Sequence, residues 1–334
     1  MIENAEEFPL ITVITPSYNS GVYIFDAIDS VIHQTYPNIE YIITDDGSSE
    51  FPETEIKNIF TSPLKSKNIT TWKIICNSTN QGTVKNLNGA IRKSSGKYLF
   101  FLAADDVFYN QNVLNDWMVT IIRTNAEIIT SYREKYDEKL TNSLGILPNM
   151  NDVTKIKTYS SDKLYEDFFR KNIRIQGGGC LAYSRECLIR YNLFNEAYVL
   201  SEDIPAVLLL LRNNVKLYFW DGISIKYREG GVSSNFQTSI PLIKDLITRF
   251  RYELTQSKFQ HIETKIKIYL CYASLCFNLF YVQILKTVKQ CKSDNHNIFL
   301  SIILSCCMGC FEIYERIYKY SKNFYLFIFP IIFH

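Results

Sequence analysis

A chain of 334 residues is long enough for one large domain with an appendage or for two domains, and 47% apolar with 21% charged residues excludes a disordered polymer. A net charge of only +2 offers no basic surface for nucleic acid, so no nucleic-acid partner is expected. Nine cysteines, with one CxxC spacing at Cys307–Cys310 and no second pair, argue against a zinc site and read as reduced, buried residues of a cytosolic protein. The start, Met1 to Glu7, is acidic and lacks the apolar core of a signal peptide. Ile298–Cys310 and Phe324–Phe333 are the longest apolar candidates, and both are too short for a conventional spanning helix.

In chain order, Leu10–Thr15 is β-branched and apolar, and Pro16 ends it; this is the first predicted strand. Ser17–Gly21 is a turn. Ile24, Ala27, Ile28, Val31 and Ile32 then fall at helical spacing, which predicts a helix to about Gln34 with Ser20 as its cap. Ile39–Thr44 is a second strand ending in Asp45-Asp46-Gly47-Ser48-Ser49. Strand, helix and strand within so short a stretch imply a right-handed parallel crossover. A helix over Thr54–Phe60, a strand at Trp72–Cys76, a turn at Asn80-Gln81-Gly82 and a helix over Val84–Lys93 follow. Tyr98–Ala103 is apolar without a turn signal, the pattern of a strand buried on both faces, and it runs into Asp105-Asp106. This alternation predicts an α/β fold, a mostly parallel sheet with helices on both faces.

Beyond Asp106 the pattern loosens. Leu114–Arg123 is helical and Ile128–Tyr132 is a short strand; residues 133–160 read as an irregular polar excursion. Short helices are expected at Tyr165–Lys171 and Arg185–Tyr191, on either side of the triple glycine Gly177–Gly179. Ser201-Glu202-Asp203 opens an apolar helix, Ile204–Arg212, and Leu217–Trp220 is a strand. From about Pro241 long helical patterns dominate, and residues 240–334 hold 12 Lys and Arg against 6 Asp and Glu, so the remainder is net acidic. The boundary predicted from this shift separates residues 1–235 from 236–334.

Two acid pairs, Asp45/Asp46 and Asp105/Asp106, are expected to end neighbouring strands, with Glu202/Asp203 as a third acidic site. Carboxylates gathered at one sheet edge are costly unless a cation or hydrogen-bond donors compensate. Ligands of open α/β sheets sit outside the carboxyl ends of the strands. A metal–diphosphate site therefore competes with plainer readings: a turn at Asp46-Gly47, first-turn helix acids at Glu202-Asp203, and a turn or bulge at the glycines.

Several ordered motifs over residues 9–228 resemble the family 2 glycosyltransferases of GT-A fold. They are Thr12–Asn19, Ser30–Glu40 leading to Asp45–Ser49, Asn80-Gln81-Gly82 with Lys85-Asn86, Ser95–Tyr98 before the acidic strand end, and Ser201-Glu202-Asp203. The resemblance implies an inverting transferase of the bacterial surface-polysaccharide type, moving a hexosyl or N-acetylhexosaminyl group from a nucleotide sugar. A UDP-sugar is the implied donor, and a glycan or polyprenyl-diphosphate-linked glycan, as in capsule or O-antigen synthesis, is the implied acceptor. It also implies roles: Pro16, Tyr18 and Asn19 line the nucleotide pocket, Asp45 or Asp46 binds the base, and Lys85 meets the diphosphate or base. Asp105 meets the ribose or the metal, Asp106 holds Mn2+ or Mg2+, and Asp203 is the general base beside Glu202. Two positions depart from the family pattern. Ala103 replaces the first acid of the metal strand, and Lys85 replaces an arginine, losing its planar fork.

The C-terminal region has two readings: packing on the catalytic domain or a second subunit of a homodimer, or docking on the inner face of the cytoplasmic membrane through basic and apolar helices. The rivals to transfer are a sugar-phosphate nucleotidyltransferase, which would want a basic glycine-rich loop that Ser17–Gly21 lacks, and a non-catalytic scaffold, which Ala103 would suit.

Overall fold

The computed structural model of the protein describes residues 8–62, 67–230, 239–256 and 259–293. The chain forms two units, Met1–Tyr165 with Ile175–Gly231, and Glu166–Arg174 with Val232–His334. The first unit begins with β1 (Ile11–Ser17), α1 (Tyr23–Ile32), β2 (Ile39–Asp45), α2 (Glu53–Thr61), β3 (Ile69–Cys76), α3 (Thr83–Arg92) and β4 (Tyr98–Phe101). Every residue of β2 is buried, and all of β1 except Pro16, as strands covered on both faces require. α1 buries Ile24, Ala27, Ile28 and Val31, one stripe at helical spacing. β1 pairs in parallel with β2 and β4, and β2 in parallel with β3.

The chain continues through β5 (Val107–Phe108), α4 (Val113–Thr124), β6 (Ile128–Tyr136), β7 (Ser143–Leu147), α5 (Met150–Thr158), α6 (Ser161–Lys171), whose residues from Glu166 on belong to the second unit, β8 (Leu181–Ser184), α7 (Arg185–Arg190), α8 (Asp203–Arg212) and β9 (Leu217–Arg228). The strand order is β3-β2-β1-β4-β8-β6-β9-β5, with β7 paired to β6. β8 is antiparallel to β4 and β6, while β9 is parallel to β6, so the sheet is mixed. Its core includes an aromatic series in which Trp117 packs on Phe100 at 5.2 Å and on Trp220 at 5.6 Å. Glu40 is buried at the opposite end of β2 from the acid pair, held by Thr12 Oγ1, Lys73 Nζ and the Ser95 N–H at 2.6–2.7 Å. That arrangement ties three strands together with a carboxylate whose partners are all in place.

Four expectations need correction. The strands ending in the two acid pairs are not neighbours, because β1 lies between β2 and β4. Residues 133–160 are not irregular: β6 runs to Tyr136, β7 pairs with it, and α5 follows with Asn149 as its cap, its side chain accepting the Asp152 N–H at 2.9 Å. The last strand of the unit runs on past Trp220 to Arg228. Irregular register near Ser131–Arg133 absorbs the extra residues, and Gly222 lets the Trp220 ring lie where a Cβ would be only 2.0 Å from it. Finally, α1 starts at Tyr23 rather than after Ser20; left-handed Asn19 and Gly21 prolong the turn, and the Ser20 hydroxyl bonds Ser17 instead.

The second unit contains α9 (Ile240–Gln256) and α10 (Ile262–Ser293). Glu166 receives the start of α10: its carboxylate accepts from the Gln260 and His261 N–H groups, His261 Nδ1 and Thr264 Oγ1 at 2.7–3.3 Å. Burial pushes this carboxyl up, but those donors outweigh it and hold it below the usual glutamate range. Phe169 packs on Phe250 and Phe259. Among the described residues, no helix is long and apolar enough to cross a membrane. The segments around Cys306, Cys307 and Cys310 and at Phe324–Phe333 lie outside the described residues.

Candidate active site

The ends of β1 and β2 form the first part of the site. The Ser17 carbonyl accepts the Asp46 N–H at 2.9 Å. Beyond it the chain turns through exposed Tyr18 and left-handed Asn19. The Asn19 N–H donates to Ser48 Oγ at 2.8 Å and Asn19 Oδ1 accepts the Ser49 N–H at 3.2 Å, so the two loops are stitched edge to edge. Asp45 folds over its own turn, accepting the Gly47 and Ser48 N–H groups at 3.1 and 2.8 Å and the Ser48 hydroxyl. Asp46 reaches instead to the turn before α3, accepting Asn77 Nδ2 and the Gln81 N–H at 3.0 Å and the Gly82 N–H at 2.8 Å. Both acids are buried, and each has its own donors. Gly82 is required twice over: its φ is +91°, and a Cβ would come within 2.6 Å of Val199. Lys85 follows on the exposed side of α3, where its charge helps hold Glu196 below the ordinary range after Asn88 and Arg92 have done most of that work.

Next to β1, the end of β4 turns sharply. The Ala104 N–H donates to the Pro16 carbonyl at 3.2 Å, and the Asp106 N–H closes the turn on the Ala103 carbonyl at 3.0 Å. Asp106 is 4% exposed, and among the described residues its carboxylate accepts one hydrogen bond, from the Arg228 backbone N–H at 2.9 Å. Burial pushes the carboxyls of both Asp105 and Asp106 up, and the Asp105 charge pushes Asp106 further, against the opposing pull of Arg228. Arg228 was not signalled by the sequence, where it is only an arginine beyond an aromatic run. It is buried and donates Nε to the Asp105 carbonyl at 2.7 Å, Nη2 to Asp26 at 2.8 Å and Nη1 to the Glu138 carbonyl, with its plane 4.3 Å from the Tyr23 ring centre. It clamps the acid turn to α1, with each guanidinium nitrogen donating a hydrogen bond.

The third part is the glycine turn. Gly177 has ordinary backbone angles, so what it supplies is space: a Cβ there would lie 1.8 Å from Asp203 Oδ2. The Asp203 carboxylate thus rests on the Gly177 backbone. Its Oδ1 accepts the Ile204 N–H at 2.6 Å at the start of α8, while Oδ2 makes no hydrogen bond among the described residues. Glu202 holds the cap position before it. The nearby Tyr183 phenol is buried without a hydrogen bond to any described residue, and burial first, then the charges of Asp203 and Glu202, push it far up. Gly178 adopts φ +55°, and a Cβ on Gly179 would sit 3.1 Å from Ile225 and 3.3 Å from the Phe101 carbonyl.

These contacts close a ring. Asp46 joins Gly82, Gly82 abuts Val199, the chain from Val199 leads to Asp203, Asp203 lies on Gly177, and Gly179 lies against Phe101 before the acid turn, which returns through Ala104 to Pro16. Pro16, Asn19, Asp45, Asp46, Asp105, Asp106 and Asp203 therefore lie around one set of strand ends. Tyr18 and Lys85 are exposed at its rim, with no described bond to the acids.

No group of three or more His, Cys, Asp or Glu side chains able to hold a metal occurs among the described residues. Asp105 and Asp106 alone still fit a hard divalent cation. They are two adjacent carboxylates short of donors, and Mg2+ sites commonly combine one or two carboxylates with phosphate oxygens and water.

Residues 12–191 match the model of glycosyl transferase family 2. An uncharacterized glycosyltransferase of Haemophilus influenzae is 31% identical over 60% of this chain and 58% of its own length. The chain therefore spans less than two thirds of that relative. The Escherichia coli UDP-Glc:alpha-D-GlcNAc-diphosphoundecaprenol beta-1,3-glucosyltransferase WfgD is 27% identical over 68% of this chain and 80% of its own. Two solved structures share the fold. S. aureus TarS 1-349 in complex with UDP-GlcNAc has a TM-score of 0.57 at 16% identity, covering 81% of this chain and 73% of TarS. The mannosyltransferase PcManGT of Pyrobaculum calidifontis, in complex with GDP-Man and Mn2+, has a TM-score of 0.58 at 14% identity, covering 97% and 85%.

Proposed function

The chain belongs to the family 2 glycosyltransferases, and we propose that it is an inverting enzyme that transfers a hexosyl or N-acetylhexosaminyl group from a UDP-sugar to a glycan, free or carried on a polyprenyl diphosphate, in surface-polysaccharide synthesis. The observation that carries this reading is the position of Asp203. A general base needs an uncommitted lone pair, and Oδ2 accepts no hydrogen bond from the described residues while Gly177 holds it by the same strand ends as the acid turn. The acceptor hydroxyl attacks the anomeric carbon, its proton passes to Asp203 Oδ2, and the sugar–phosphate bond breaks with its electron pair leaving on the diphosphate. One displacement from the opposite face inverts the anomeric centre. Glu202, at the cap position of α8 beside Asp203, belongs to the same catalytic group.

Pro16, Tyr18 and Asn19 with Asp45 or Asp46 would hold the nucleotide, since the stitched loops give it a rigid floor. Lys85 would approach the diphosphate or base from the rim. Asp105 and Asp106 would hold Mn2+ or Mg2+, which when bound supplies Lewis-acid stabilisation of the leaving diphosphate. The names of WfgD and of the TarS complex support a UDP-sugar donor, and that of WfgD supports a lipid-diphosphate acceptor. For the C-terminal region we favour a peripheral contact with the inner face of the cytoplasmic membrane over a homodimer interface. Exposed Ile262, Ile266, Tyr269 and Leu270 lie on α10 beside exposed Lys265, the composition of an interfacial helix.

Calorimetric titration with UDP, GDP and dTDP, with and without Mn2+, tests the donor site. UDP binding that needs the metal is expected. Equal or absent binding of all three nucleotides, metal or not, would overturn it.

A further inference from the structure

Arg133 has no role in the site as described so far. It lies on β6 opposite Ile225 of β9. Its guanidinium is 4.3 Å from the centre of the Tyr227 ring, and its Nε is buried without a hydrogen-bond partner. The guanidinium makes no ion pair or hydrogen bond with any described residue. An arginine donor buried without an acceptor is costly, and such a group calls for an explanation. Arg228, one residue beyond Tyr227, shows the contrast, since all its nitrogens are occupied.

The strand geometry says where Arg133 stands. Arg133 pairs with Ile225 where the register of β6 and β9 becomes regular again, and residues two apart share a face, so Ile225 and Tyr227 share a face of β9. Gly179 lies against that Ile225, within reach of the Phe101 carbonyl, and Arg228 donates its backbone N–H to Asp106. Arg133 is therefore flanked by the glycine turn on one side and the acid turn on the other. Its charge reaches both: it opposes the burial that pushes the Cys180 thiol up to about 11, and it opposes the burial that pushes Asp106 up.

We propose that Arg133 binds the diphosphate of the nucleotide sugar, aiming the in-plane N–H fork of its guanidinium at the phosphate oxygens while the Tyr227 ring, 4.3 Å away, supports the group. This rests on the transferase reading above and adds to it the residue that receives the leaving-group charge. An anion placed beside Asp105 and Asp106 is repelled unless a cation lies between them. A diphosphate that chelates a divalent metal meets that condition and still offers free oxygens to an arginine. Arg133 suits the task better than Lys85, which is exposed, lies near Glu196 and cannot form a fork.

The test is calorimetric binding of UDP and of uridine, both in Mn2+, to the full chain and to its Arg133→Ala and Arg133→Lys variants. The unaltered protein is expected to prefer UDP. Arg133→Ala should cut that preference about tenfold to a hundredfold while leaving uridine affinity unchanged, as loss of a charge-assisted contact to phosphate predicts. Arg133→Lys should restore part of it, keeping the charge without the fork. An unchanged preference in Arg133→Ala, or equal losses for UDP and uridine, would overturn the assignment and make Arg133 a packing residue. An unaltered protein that binds UDP no better than uridine would overturn the transferase site itself and this inference with it.

Discussion

The two acid pairs look alike in sequence: an apolar strand, then Asp-Asp. In the fold they are opposites. Asp45 and Asp46 are buried among N–H and amide donors, and Asp46 alone draws in the turn that starts α3. Asp106 is as deeply buried but has one backbone donor and a carboxylate neighbour. The first pair is a clasp whose charge is balanced by the chain. The second is left short of donors by the chain and is completed by whatever positive charge arrives. A repeated motif at strand ends thus separates into architecture and chemistry only when the donors are counted.

The third acid sharpens the contrast, because Asp203 is neither clasp nor deficit but half-committed. Asp203→Asn should lower the rate of sugar transfer by about a hundredfold to ten-thousandfold, the usual range for a lost general base, with UDP affinity intact. Kinetics with saturating donor check the first part and calorimetry the second; loss of UDP binding in this variant would place Asp203 with the donor acids instead. Gly177→Ala should copy the kinetic defect in milder form, since the added methyl displaces the Asp203 carboxylate without removing it.

The clasp is tested by stability. Asp46→Ala leaves the Gln81 N–H without its acceptor, while the Gly82 N–H and Asn77 Nδ2 keep only their second acceptors, Asn80 Oδ1 and Asn86 Oδ1. A cost of about 1–3 kcal/mol is expected, that of one buried donor left unmet. Chemical denaturation measures it. A variant as stable as the parent would mean that Asp46 is held for the ligand alone.

Much of this arrangement was legible before the fold. β1 and β2 announced themselves as β-branched runs, α1 by its apolar stripe, and all three acidic sites by their place at strand ends or a helix start. What was hidden depended on partners distant in sequence. Arg228 meets Asp26, Asp105, Asp106 and Glu138, and no local pattern says so. Arg133 sat in a segment read as irregular, because Tyr132 to Tyr136 mixes charge with aromatic residues on a strand that is only partly buried. The length of β9 was hidden by Asp221-Gly222, which reads as a turn and is instead the bend that admits the Trp220 ring. The two acid pairs were read as neighbours because chain order says nothing of sheet order, and β1 occupies the middle.

The smallest expected effect bears most directly on the difference between the pairs, and its sign is opposite to that for Asp46. Burial raises the Asp106 carboxyl in the folded chain, with the Asp105 charge adding to it. A carboxyl that is raised on folding holds its proton more tightly in the native state. Its ionisation therefore costs stability above the folded value, and that cost disappears below the unfolded value near 3.9. Asp106→Asn removes the charge but keeps an oxygen for the Arg228 N–H. At pH 7 and without metal the variant should be more stable, by on the order of 1 kcal/mol or about 2–4 °C in Tm. At pH 4 the advantage should shrink toward zero, because the parent residue is then largely protonated too. Mn2+ should reverse the order at pH 7, stabilising the parent and not the variant, because the ion binds the native carboxylates. Thermal unfolding across this pH range, with and without Mn2+, reads all three points. A variant less stable than the parent at pH 7 in the absence of metal would show that Arg228 and Arg133 already balance Asp106, and the second acid pair would then be a clasp like the first.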